Sequence, residues 1–152
     1  MVNNAGVTTV RADIDADDNS PEAISERMFK QSFDDWLAPY AINTASIYFS
    51  TAAFLPLLVA TRNYRGVSGN VVNTTSISGI TKTSQKGQFS YNSNKAAARS
   101  LSTQLALELS RPHIGIRVNQ LAFGYFPSQM TPIDYGNEEE HYQKDWNIPF
   151  GR

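Results

Sequence analysis

A tyrosine and a lysine in the middle of the sequence have the types and spacing to move a proton to or from a carbonyl oxygen. Tyr91 and Lys95 are four residues apart and follow a serine-glycine turn. On a helix, residues at this spacing share one face, so a phenol and an ammonium converge on one point. The pair alone is a weak signal, and its context decides its meaning.

A phenol is suited to both directions of carbonyl chemistry, because it can donate a proton to an oxyanion or take one from an alcohol. Its ordinary pKa of about 10 is too high for a base near neutrality. A positive neighbour favours the phenolate, so we expect Lys95 to lower the pKa of Tyr91. The alternative is an exposed helix pair with no function.

Short β-branched runs and longer amphipathic runs alternate around this pair. Val2 reads as the end of a strand, Asn70–Thr75 as a buried strand and Ile116–Leu121 as a third strand. A helix is predicted over Tyr91–Ser110, with an apolar stripe at Ala98, Leu101, Leu105 and Leu109. The pair would therefore begin the helix that follows the second strand.

Two further helix starts lie between the first two strands. Ser20 and Pro21 predict an N-cap and first turn for a helix through Phe29. Ser32, with Asp35 three residues later, predicts a second start for a long helix that bends near Pro39 and ends around Arg62. An exposed helix is also expected over Asn137–Asp145.

Strands that alternate with long helices indicate the α/β class with a parallel sheet and flanking helices. Parallel sheets usually have more than three strands and are covered on both faces. We therefore expect a single partial domain over residues 1–152, part of a larger parallel sheet.

The composition excludes several functions. The formal net charge is −1 and cysteine is absent, so nothing favours nucleic-acid binding, disulfides or cysteine metal sites. The two histidines have no metal-ligand spacing, and no metal is expected. The N-terminus lacks the features of a signal peptide and no apolar run approaches 20 residues. We expect no membrane span, and cytosolic residence.

Five landmarks in order resemble the short-chain dehydrogenase/reductase family, including fungal members. They are Asn3-Asn4-Ala5-Gly6, Asn43 in the long helix, Ser76 before Gly79, Tyr91 with Lys95, and Arg117-Val118-Asn119 followed by Gly124. The resemblance covers nearly the whole chain. It implies a partial Rossmann fold that lacks the first β-α-β units of the family.

The resemblance also implies roles for these residues. Catalysis on a carbonyl or secondary alcohol would fall to Asn43, Ser76, Tyr91 and Lys95, with Ser78 as a second candidate serine. NADP or NAD would contact Asn4, Ala5, Gly6, Tyr91, Lys95, Gly124 and Ser128. Tyr125, Phe126 and Tyr135 fall where the family places its substrate loop. The partners implied are a small carbonyl or alcohol substrate and, for the complete domain, other copies of the chain.

Three departures from the family pattern matter. The glycine-rich turn that cradles the pyrophosphate is not in this sequence, Phe123 stands where the family usually has proline, and the spacing from Ser76 to Tyr91 is slightly longer than the commonest one. The missing turn leaves an alternative open. The alternative is an inactive product, or an oligomerisation module, that cannot bind a dinucleotide alone. The residues decide neither the substrate nor the choice between NAD and NADP.

Overall fold

A computed structural model describes residues 1–126 and Ser128. Three parallel strands form one sheet in the order β1 (Val2–Asn3), β2 (Asn70–Ser76) and β3 (Arg117–Phe123). Strand β2 is central, with Val2 opposite Val72 on one side and Asn70 opposite Arg117 on the other. The predicted parallel sheet is confirmed. Because the strands are parallel, their carboxyl ends meet at one edge, where α/β proteins place their sites.

The first two helices begin at the predicted caps. Helix α1 (Pro21–Phe29) has Ser20 as its N-cap, and the Ser20 hydroxyl accepts a hydrogen bond from the Ala23 amide at 3.3 Å. Helix α2 (Phe33–Tyr40) opens with a complete capping box, in which Ser32 and Asp35 bond each other's backbone amides. Both caps satisfy amides that a helix leaves without partners in its first turn.

The long helix is interrupted by one wide turn. Between α2 and α3 (Ser46–Arg65), residues Ala41–Ala45 form a π-helical turn, and the Ser46 amide donates to the Ala41 carbonyl five residues earlier. The sequence predicts a bend at Pro39, but the irregular turn lies just after it. The π turn buries Asn43 and Thr44.

The helical run Phe33–Arg65, 33 residues, is long and apolar enough to cross a membrane by length and composition alone. Helices in the cores of water-soluble proteins pass the same test. In this run the buried residues Asn43, Thr44 and Thr51 are polar, and the Thr44 hydroxyl donates to the Asn94 carbonyl at 2.8 Å. The absence of a membrane span and the cytosolic location remain predictions.

Helix α4 (Phe89–Leu109) starts two residues earlier than predicted and packs on the sheet. Its contact with β2 is partly polar, because the Asn73 amide donates to the Ser102 hydroxyl at 2.9 Å. The apolar core is small and centres on Leu58, Val71, Ile116 and Val118. Directional hydrogen bonds therefore help to fix how α4 sits on the sheet. The helix predicted over Asn137–Asp145 lies outside the described residues.

Candidate functional site

The carboxyl ends of β2 and β3 open into a cavity of about 380 Å³. Its size lies within the usual range of small-molecule sites, about 300–1,000 Å³. The walls come from the chain after β1, from the end of β2 and the turn that follows, from the start of α4 and from the end of β3. The lining residues are Asn4, Gly6, Thr8, Arg11, Thr74, Thr75, Ser76, Ile77, Ser78, Gln88, Tyr91, Lys95, Phe123, Gly124, Tyr125, Phe126 and Ser128.

Tyr91 and Lys95 lie on one face of α4 and both line the cavity, as their spacing predicts. The Lys95 Nζ atom is 5.7 Å from the centre of the Tyr91 ring and donates to the Thr74 carbonyl of β2 at 3.2 Å. Lys95 is 4% exposed, and burial lowers the pKa of its ammonium because a charge is poorly solvated there. A lysine held this way has further N–H donors for a bound molecule.

The pKa of Tyr91 is raised, contrary to our expectation that Lys95 lowers it. Burial of the phenol is the largest cause; the Ser76 side chain opposes it, and the charge of a Tyr125 phenolate adds to the rise. Lys95 is directed at the Thr74 carbonyl rather than at the phenol oxygen, and its charge is not among the causes of the shift. Tyr91 is therefore a neutral phenol near pH 7, the form that donates a proton.

Ser76 is the serine that interacts with the Tyr91 phenol. It ends β2 and caps the following 3₁₀ turn (Ile77–Gly79), because its hydroxyl accepts a hydrogen bond from the Ser78 amide at 3.1 Å. Ser78 also lines the cavity but is 6% exposed. Gly79 lets this turn approach α4, since a Cβ there would lie 2.6 Å from the Lys95 carbonyl carbon. The turn thus sets Ser76 against Tyr91.

Asn43 holds the loop after β1 rather than lining the cavity. Its side chain makes two hydrogen bonds to Val7: the Val7 amide donates to Oδ1 at 2.9 Å, and Nδ2 donates to the Val7 carbonyl at 3.0 Å. Gly6 lies between this clamp and the lysine, because a Cβ on Gly6 would be 3.4 Å from Asn43 Oδ1 and 3.7 Å from Lys95 Nζ. A methyl group at position 6 would make ordinary van der Waals contact with both groups.

Two asparagines, the last residue of β1 and the residue after it, bond β2. Asn3 Nδ2 donates to Asn73 Oδ1 at 2.8 Å, and the Thr74 hydroxyl donates to Asn4 Oδ1 at 2.8 Å. Asn4 and Gly6 line the cavity, whereas Ala5 between them does not. Of the residues predicted to hold a cofactor, Ala5 alone is away from the cavity wall.

The far wall follows β3. Gly124 and Ser128, which the resemblance assigns to cofactor contact, line the cavity with Tyr125 and Phe126. Tyr135 lies outside the described residues. The Tyr125 hydroxyl accepts a hydrogen bond from Gln85 Nε2 at 2.9 Å. Phe123, in place of the usual proline, stacks edge-to-face on Phe126 with ring centres 5.8 Å apart. The pair of Phe123 and Phe126 therefore forms part of the cavity wall where the chain leaves β3.

Sequence reasoning assigned no place in the site to six lining residues: Thr8, Arg11, Thr74, Thr75, Ile77 and Gln88. Arg11 begins a polar, acidic stretch that reads as an ordinary surface loop. One signal was available, because this stretch comes soon after the landmark at Asn3–Gly6. Residues after the carboxyl end of a parallel strand are those that enter a site at this edge.

Comparison with known proteins agrees with this architecture. The family model described as short chain dehydrogenase matches residues 1–138. The chain belongs to the short-chain dehydrogenase/reductase family.

Several relatives are similar over part of their length. A short-chain dehydrogenase/reductase of Diaporthe leptostromiformis, PhomF, is 37% identical over 95 residues, 60% of this chain and 31% of the relative. The rhamnolipid-biosynthesis 3-oxoacyl-[acyl-carrier-protein] reductase of Pseudomonas aeruginosa is 33% identical over 118 residues, 77% of this chain and 44% of the relative. The chain thus spans less than half the length of these relatives.

Solved structures show the same fold. The Pseudomonas aeruginosa RhlG/NADP active-site complex superposes with a TM-score of 0.74 at 29% identity, over 99% of this chain and 52% of that one. An NAD⁺-bound xylitol dehydrogenase gives 0.63 at 25% identity, over 85% of this chain and 41% of that one. The neighbours are thus structures with NADP or NAD bound. The partial Rossmann architecture predicted from the sequence is confirmed.

Proposed function

We propose that this chain carries the acid-base half of an NAD(P)-dependent oxidoreductase that interconverts a carbonyl and a secondary alcohol. The observation that carries the proposal is the convergence of Ser76, Tyr91 and Lys95 on one cavity at the carboxyl edge of the sheet. Tyr91 would exchange a proton with the substrate oxygen. Ser76 would donate a hydrogen bond to the same oxygen and stabilise the charge that develops on it.

The residues present fit the nicotinamide-ribose end of such a cofactor, which supplies or accepts the hydride when bound. The Lys95 ammonium has one hydrogen bond, to Thr74, within the described residues, so its other donors can bind ribose hydroxyls. Gly6 leaves space beside this ammonium, and Asn4, Gly124 and Ser128 complete the wall. Ala5 contributes through the turn it shares with its neighbours. The phosphate-binding glycine turn is not among these residues.

Tyr91 starts in the protonation state that reduction of a carbonyl needs. Because burial raises the pKa of Tyr91, the phenol holds its proton near pH 7 and can give it to an oxygen that becomes an alkoxide. In the reverse direction, Tyr91 must first lose that proton. The positive charges of Lys95 and of an oxidised nicotinamide bound beside Tyr91 would favour that loss. Asn43 acts through position, because its clamp on Val7 holds the loop that borders Lys95.

Replacement of Tyr91 tests the proposal. Tyr91→Phe keeps the ring and removes the hydroxyl, so turnover of ketones with NADPH or NADH should fall at least 100-fold, as is typical when a positioned general acid is lost. Tyr64→Phe is the matched control, since Tyr64 is 88% exposed and does not line the cavity. Equal turnover by the wild type and Tyr91→Phe would contradict the assigned role.

Calorimetric titration with NADPH and NADH separates the enzyme from the inactive alternative. Saturable binding by the 152-residue chain would support the oxidoreductase and show which cofactor is preferred. A chain that is folded by circular dichroism and binds neither would support a product in which the catalytic residues have no cofactor.

A second candidate function is self-association through the long helix. Phe49, Phe54 and Leu57 on α3 are 69%, 51% and 64% exposed, and apolar side chains this exposed on one helix are typical of an interaction surface. We propose that copies of the chain associate there. Light scattering of the wild type and of Phe49→Ser with Leu57→Ser should show a smaller mass for the double variant. Equal masses would reject this surface.

A further inference from the structure

The charged residues of the cavity wall are all cationic. Of the lining residues that the structure describes, Arg11 and Lys95 carry charge, and none is aspartate or glutamate. The whole chain has a formal net charge of −1, so this sign does not follow from composition. A cavity lined by one sign of charge raises the local concentration of ligands of the opposite sign.

Arg11 is held at the end of the cavity where α4 begins. The next residue, Ala12, is 2% exposed, and its amide donates to the Gly87 carbonyl at 3.0 Å. The contact is tight, since a Cβ on Gly87 would lie 1.7 Å from the Ala12 carbonyl oxygen. Gly87 directly precedes Gln88, the N-cap of α4. Arg11, itself exposed, therefore lines the cavity from a segment tied to the turn before α4, whereas Lys95 bonds a carbonyl of β2.

Arg11 has no anionic partner within the described part of the chain. The ion pairs there are Lys30 with Glu26 and Arg111 with Glu108, both on exposed helix surfaces. The neighbouring acids Asp13 and Asp15 do not bond the guanidinium. An arginine on a cavity wall with its planar set of donors uncommitted suits a carboxylate, which it can bind with two parallel hydrogen bonds.

We infer that Arg11 binds a carboxylate on the substrate, so that the carbonyl compound is an oxo acid whose carbonyl reaches Tyr91. The inference rests on the proposed function for its chemistry, but the binding does not require turnover. One end of the substrate pairs with the guanidinium, and the carbonyl oxygen lies between Ser76 and Tyr91. Arg11 would thus set both the substrate class and its orientation.

Matched ligands test the charge preference directly. The probes are 4-oxopentanoate, 5-oxohexanoate and 6-oxoheptanoate, each compared with its uncharged methyl ester, and binding is measured by ligand-observed NMR without cofactor. At least one acid should bind about 10-fold more tightly than its ester, as expected for a hydrogen bond to a charged group. Arg11→Gln should remove that difference and leave ester binding within 2-fold.

Arg99→Gln is the control, because Arg99 is exposed on α4 and is absent from the cavity wall, and the substitution makes the same change in net charge. Equal binding of acids and esters by the wild type, or equal effects of Arg11→Gln and Arg99→Gln, would overturn the inference. An Arg11→Gln variant that loses affinity for NADPH but keeps the wild-type preference for acids over esters would also overturn the inference, because it would assign the guanidinium to the cofactor. Turnover failure with every ketone, while Arg11-dependent acid binding persists, would reject the proposed function alone.

Discussion

Replacement of Asn43 by alanine should destabilise the chain more than an ordinary helix substitution, because Asn43 clamps the loop after β1. The side chain is 2% exposed and bonds both the amide and the carbonyl of Val7. Val7 is half-buried, so in Asn43→Ala water can replace part of the hydrogen bonding that the Val7 backbone loses. At about 1 kcal/mol per bond, Asn43→Ala should lower the free energy of unfolding by about 2 kcal/mol.

Asn92→Ala is the matched control. Asn92 is also in a helix, but its amide makes one exposed hydrogen bond, to the Thr83 carbonyl at 3.0 Å. Both substitutions remove the same side-chain amide from a helical segment, so the difference between the variants reports mainly on the clamp. Urea unfolding followed by circular dichroism measures the difference, which should be about 1 to 2 kcal/mol.

Hydrogen exchange at the Val7 amide gives an independent readout. The amide should lose protection in Asn43→Ala and keep it in Asn92→Ala, because its acceptor is Asn43 Oδ1. Equal unfolding free energies of the two variants, with Val7 protected in both, would refute the clamp and leave Asn43 as a merely buried polar residue.

Two further predictions concern Lys95 and Gly79. Lys95→Met should abolish turnover yet raise the free energy of unfolding by about 1 kcal/mol at pH 7, because it removes a buried ammonium with no anionic partner among the described residues. Since burial lowers the pKa of Lys95 below 10.5, the unfolded chain binds more protons and wild-type stability rises with pH. Urea unfolding between pH 7 and 9.5, below the range in which Tyr91 titrates, should show that the stability difference between Lys95→Met and the wild type shrinks as pH rises. A stability difference that stays constant with pH would contradict this. Gly79→Ala should lower the free energy of unfolding by about 1–3 kcal/mol, because its Cβ would lie 2.6 Å from the backbone of α4. Gly124→Ala is the control, because its Cβ would lie 3.9 Å from a side chain. Equal unfolding midpoints for the two variants would contradict the close approach at Gly79.

Much of the fold could be predicted from the sequence, because the signals are local. Ser20 and Ser32 cap the helices that they predict, and the β-branched run from Asn70 forms the central strand. The order of landmarks also indicated the family. The helix caps and the strand depend on residues close together in the sequence, and in a foldable sequence these local preferences agree with the final fold.

What the sequence did not predict depends on contacts between distant segments. The π turn at Ala41–Ala45 has no local sequence signature. The bend was predicted at Pro39, which lies inside the regular helix α2. The raised pKa of Tyr91 follows from burial and from where Lys95 points, neither of which spacing can give. Arg11 reaches the cavity because Ala12 bonds Gly87, a contact between segments far apart in the chain.

The π turn makes this part of the chain sensitive to its length. It holds one more residue than an α-helical turn, and the wide turn takes up that residue locally. Deletion of a single residue such as Ala45 would restore regular winding, and α2 would keep nearly the same rotation relative to Ile47, Thr51 and Leu58, the buried residues of α3. The backbone at Asn43 would change, because Asn43 lies within the turn and bonds Val7. A one-residue gap at this turn in an alignment with a relative would therefore mark a change of geometry at Asn43 rather than in the packing of the helices.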